Sequence, residues 1–134
     1  MSDAKTMQVD PMSITDEKVM KTLKEVVAAN PDRIYEAPEH QLADEPSACF
    51  YVHTDDLTND PVSPGCLVGQ VLNRLGLSLD RLAELEGHDA HQAVAALGLP
   101  LTDRTVNALG QVQHGQDSGQ TWGEAYARSV GEGI

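Results

Sequence analysis

Apolar residues in this chain return at helical intervals wherever the pattern is long enough to read. Val19, Leu23, Val26 and Val27 fall at i, i+4, i+7 and i+8, which places them on one face of an α-helix. Leu67, Val68, Val71, Leu72 and Leu75 make a wider stripe, and Val106, Leu109 and Val112 make a third. The available side chains agree. With one Trp, one Phe and three Tyr, the core is built from Leu, Val and Ala, which suits packed helices better than a β-sandwich. The 134 residues make one domain of ordinary size, enough to bury about two-thirds of the unfolded surface.

Local signals set the helix ends. Thr15 caps a helix over Asp16 to Ala29, with Asp16 and Glu17 in the first turn and an Ile14–Val19 hydrophobic staple. Asn30-Pro31 ends it, because the residue before proline leaves the helical region. Ser63 and Pro64 fit the cap and first position of a helix that stops at Gly76. Gly69 in its middle costs about 1 kcal/mol relative to Ala, so it marks a close backbone crossing. Ser78 starts a helix through Leu85, Asp89 one through Leu97 before Gly98, and Thr102 one through Gln113. Thr121-Trp122-Gly123-Glu124 is a capping box that opens a last helix to Val130.

Between Pro31 and Ser63 the pattern changes. Pro31, Pro38 and Pro46 punctuate an irregular stretch, and Ala48–His53 is a short strand that pairs with Ile34-Tyr35. Residues 54–63 read as a loop. The expected fold is mainly α: an irregular bundle of about five short helices with a small two-stranded β-ribbon. Residues 1–12 are expected to be a flexible tail and 13–134 a single helical domain.

The net charge is −12, and it is unevenly spread. No Lys or Arg occurs between Arg33 and Arg74, a stretch that holds Glu36, Glu39, Asp44, Glu45, Asp55, Asp56 and Asp60. Such a surface repels phosphate backbones and argues against nucleic-acid binding. It suits a protein partner with a basic surface. No apolar run is long enough to span a membrane, and the polar start lacks an apolar leader, so the expected compartment is the cytoplasm, with Cys49 and Cys66 as thiols.

Several residues carry possible chemistry. Cys66, in the first turn of the Ser63-capped helix, is placed where amides and the helix dipole favour a thiolate. His53 at the strand end can serve as its base, with Asp55 as orienter. His88 and His91, at i and i+3, can share a metal with Asp89, Glu84, Glu86 or His114, although only two of these have helical spacing. The loop Asp55–Asp60 lacks the EF-hand glycine, Pro61 standing in its place. No phosphate-binding glycine motif is present.

His53 with Cys66-Leu67-Val68-Gly69, then Gln116-Asp117-Ser118-Gly119 and Trp122-Gly123-Glu124-Ala125, resembles small uncharacterised proteins of actinobacteria and their bacteriophages over most of residues 15–130. The resemblance implies cytoplasmic expression, in an infected host where the gene is viral, and no established activity. Three functional expectations follow. The first is a non-enzymatic interaction module acting through the acidic residues, a modulator or inhibitor of a host protein if phage-encoded, with no cofactor. The second is a thiol hydrolase or transferase using Cys66 and His53. The third is capture of a small polar ligand between ribbon and helices. The oligomeric state stays open.

Overall fold

The computed structural model describes residues 10–36, 38–42, 50–58 and 60–130. The fold is mainly helical with one two-stranded antiparallel sheet. After a 3-10 turn at Pro11–Ser13, the elements are α1 (Asp16–Ala29), α2 (Glu39–Leu42), β1 (Val52–Thr54), β2 (Pro61–Pro64), α3 (Leu67–Arg74), α4 (Leu79–Ala83), α5 (Ala90–Leu97), α6 (Asp103–Asp117) and α7 (Trp122–Val130). The tail expected over residues 1–12 lies outside the described residues up to position 9.

The apolar stripes meet as predicted. Val19, Leu23, Val26 and Val27 of α1 and Leu67, Val68, Val71 and Leu72 of α3 are buried in one core with Leu109 and Val112 of α6 and Trp122 and Tyr126 of α7. Local caps hold several helix starts. Thr15 Oγ1 accepts from Lys18 N–H, Ser78 Oγ from Arg81 N–H, and Asp89 forms a full capping box with Gln92. Thr121 and Glu124 exchange the predicted pair of bonds.

Other helix starts are tied by side chains from distant elements. The Leu67 N–H at the start of α3 donates to Gln116 Oε1 of α6 at 2.8 Å. The Ala90 N–H of α5 donates to Gln113 Oε1 at 3.1 Å. Thr102, ahead of α6, donates its N–H to Asp16 Oδ1 of α1 at 2.9 Å. Both glutamines are buried, and each satisfies an amide that would otherwise stand without an acceptor at a helix end.

Three expectations are corrected here. Ser63 and Pro64 belong to β2, not to a helix, and α3 begins three residues later with Cys66 at its cap position. Gln116 makes that start possible by supplying the acceptor that Cys66 does not. The ribbon also has a different partner: β1 pairs with β2, in the register Val52↔Pro64, His53↔Ser63 and Thr54↔Pro61, with an irregularity after His53. Two prolines fit this strand because a two-stranded ribbon is all edge. The pairing continues past the strands, as Gly65 N–H donates to Tyr51 O and Cys66 N–H to Phe50 O. Tyr35 reaches the ribbon through its hydroxyl instead of its backbone, and α6 runs on to Asp117, past the expected end at Gln113.

Candidate functional site

The ribbon lies against the helices through backbone contacts that need glycine. A Cβ on Gly69 would sit 2.4 Å from Tyr51 O, so α3 crosses the ribbon at the glycine expected to mark a close approach. A Cβ on Gly65 would lie 2.3 Å from Phe50 O and 2.8 Å from the His53 ring. Glu86, beyond α4, pins the same edge: its carboxylate accepts Tyr51 N–H at 2.8 Å and Val52 N–H at 3.1 Å. Partial burial pushes the Glu86 pKa up, against the pull of those two amides.

Above Gly65 opens a cleft of about 570 Å³ between the Arg33–Glu36 segment, the ribbon and the start of α3. Its lining includes Arg33, Tyr35, His53, Ser63 and Gln70. Tyr35 and His53 stand 5.6 Å apart between ring centroids, and the Tyr35 hydroxyl lies 3.1 Å from His53 Nε2. Phe50 N–H donates to that hydroxyl oxygen at 3.3 Å. The hydroxyl has one proton to give, and Nε2 is a nearer acceptor than Phe50 O at 3.4 Å. Which of the two accepts that proton follows the tautomer of the imidazole. Partial burial lowers the His53 pKa, and the positive charges of Arg33 and His40 lower it further. His40 itself bonds Thr54 Oγ1 at 2.9 Å.

Arg33 sits with its guanidinium carbon 5.1 Å from the centre of the Trp122 ring. Its carbonyl accepts Trp122 N–H, and Pro31 O accepts Gly123 N–H, so the segment before the cleft closes the start of α7. The guanidinium is within cation–π range of the ring.

The predicted residues fall in three places. His53 and Glu36 line the cleft. Cys66 lies behind it, fully buried in the core at 0% exposure, and Tyr35, not Asp55, orients the imidazole. A thiol enclosed this way is not exposed to solvent. Cys49 lies outside the described residues. His88 and His91 diverge: His88 Nδ1 faces Leu85 O at 3.1 Å, whereas His91 Nε2 faces Asn107 Oδ1 at 2.8 Å. Glu84 pairs with Arg81, and Glu86 holds the ribbon. Among the described residues, no group of three or more His, Cys, Asp or Glu side chains is placed to hold a metal ion.

The acidic residues are mostly on the surface. Glu36, Glu39, Asp56 and Asp60 are exposed, and Asp55 is half-buried, its Oδ1 accepting Leu57 N–H at 2.8 Å. Asp44 and Glu45 lie outside the described residues. What sequence reasoning missed is the apolar content of this surface. Leu57 is 88% exposed, Val62 56% and Ile34 55%. Leu57 stands in the turn between β1 and β2, Val62 is on β2, and Ile34 lines the cleft together with Ser63 and Pro64. No protein-family model, curated protein or solved structure matches this chain.

Proposed function

We propose that this protein is a non-enzymatic interaction module that binds a protein partner through its ribbon face. One observation carries the reading: Leu57, Val62 and Ile34 are held in solvent beside Asp56, Asp60 and Glu36, with no lysine between positions 33 and 74. Exposed apolar side chains beside charged ones are how interfaces combine affinity with selectivity. Burying one leucine side chain contributes about 1.5–3 kcal/mol. The carboxylates select a basic partner and speed its approach. The fit is to a surface with an apolar recess flanked by Lys or Arg.

The test is retention of cell proteins on the immobilised chain at low and high salt, beside a Leu57→Ser column. Exposed charge is screened over about 8 Å at physiological ionic strength, so a true partner elutes as salt rises. Loss of the leucine should weaken binding about tenfold or more. Because Leu57 is nearly all in solvent, the variant keeps the native fold. A partner held equally by both columns, or indifferent to salt, refutes the reading.

A further inference from the structure

The cleft above Gly65 has a chemistry that the acidic face does not explain. His53 and Arg33 both line it, in a chain of net charge −12. Arg33 forms no ion pair among the described residues, and its guanidinium lies by the Trp122 ring. The Ser63 hydroxyl has no protein partner among the described residues. His53 and Ser63 both line the cleft, and being directly paired across the ribbon they share one face of it. Gln70 spends its amide nitrogen on Gly65 O at 3.2 Å and keeps its Oε1 uncommitted. Glu36 is the one carboxylate among the lining residues, and it lies in the same segment as Arg33.

From this geometry we infer that the cleft is a binding site for a small molecule carrying a single carboxylate, received by the Arg33 guanidinium with the Ser63 hydroxyl as a second donor and the His53 ring beside them. The guanidinium edge offers paired N–H groups that match a carboxylate's two oxygens. Arg33 is the one full cation of the lining and Glu36 its one carboxylate, so a single ligand carboxylate can pair with the guanidinium, whereas a second negative charge would find no cation and would be repelled by Glu36. Ile34 and Pro64 give the cleft an apolar edge, which favours a carboxylate on a hydrocarbon or aromatic body over acetate itself. Gln70 Oε1 is left to accept from a hydroxyl or amide on that body. The site does not depend on the protein-binding reading, and either can fail alone.

The probes are phenylacetate, acetate, benzylamine and inorganic phosphate, titrated into isotope-labelled protein and followed by NMR. Phenylacetate should shift Ser63, Gly65, Gln70 and the His53 imidazole along one saturable curve, with acetate weaker on the same residues. Arg33→Gln should weaken phenylacetate about tenfold or more. Arg33 also covers Trp122, so Gln70→Glu provides a second variant. It keeps a good helix former on α3, places a like charge in the cleft and should abolish binding of both carboxylates. Shifts that do not saturate, or scatter over the surface, overturn the site. Benzylamine or phosphate binding more tightly than phenylacetate overturns the ligand class, and unchanged binding in Gln70→Glu overturns the location.

Discussion

Replacing Gly69 by alanine sets two effects of opposite sign against each other. Glycine in a helix interior is about 1 kcal/mol less favourable than alanine, so on propensity alone Gly69→Ala stabilises α3. The new methyl, however, would lie 2.4 Å from Tyr51 O and 3.0 Å from Tyr51 Cα. Relief requires the ribbon to retreat by about 1 Å to an ordinary contact. Tyr51 is poorly able to move: it is fully buried, its N–H is held by Glu86, its carbonyl by Gly65 and its hydroxyl by His88 O. Overpacking of this kind costs about 1–3 kcal/mol, and each weakened hydrogen bond adds about 1 kcal/mol. After subtracting the propensity gain, we expect Gly69→Ala to destabilise by about 1–3 kcal/mol, which lowers Tm by about 4–12 °C in a chain of this size. Gly110→Ala is the matched control. It lies inside α6, and its methyl meets only the ring of exposed His91, at 3.1 Å, which can swing aside. That variant should be neutral or up to about 1 kcal/mol more stable. Urea unfolding followed by far-UV circular dichroism measures both. Gly69→Ala as stable as the parent, or the same sign of change in both variants, refutes the packing argument.

Two further outcomes are expected. Gln116→Ala leaves the buried Leu67 N–H without its acceptor, at a cost of about 1–3 kcal/mol; chemical denaturation reads it, and a change below about 0.5 kcal/mol would show that another group takes over the cap. His53 has a folded pKa below its unfolded value, so between the two the unfolded chain binds more protons and stability falls with acidification below about pH 6.5. His53→Asn should flatten that part of the stability–pH curve, and a curve of unchanged slope would remove His53 as its cause.

Residues 16–29 illustrate what local chemistry can encode. The cap, the acidic first turn, the staple and the Asn30-Pro31 stop all lie within a few positions of one another, and the helix occupies the span they mark. The same holds for Ser78, Asp89, Gly98 and the Thr121 box, and for Gly69, whose conformational cost signalled a crossing although not with which strand. The start of α3 shows the limit. Ser63-Pro64 has the residues of a helix start, yet the chain stays extended through Pro64 because β1 is there to pair with it and because Gln116, 49 positions away, caps Leu67 instead. A propensity of a few tenths to about 1 kcal/mol loses to a ribbon ladder and a buried cap that form only once the helices have met. The cleft obeys the same rule. His53 was visible as a chemically capable residue, but its partner is decided by topology: Tyr35 comes from 18 positions upstream, Ser63 from the opposite strand and Arg33 from the loop that seats α7. None of these has a spacing that chemistry requires in advance. Pairing His53 with Cys66 rested on a helix start at Ser63 that puts the thiol in the first turn, whereas Cys66 stands at the cap position of α3 and is fully buried.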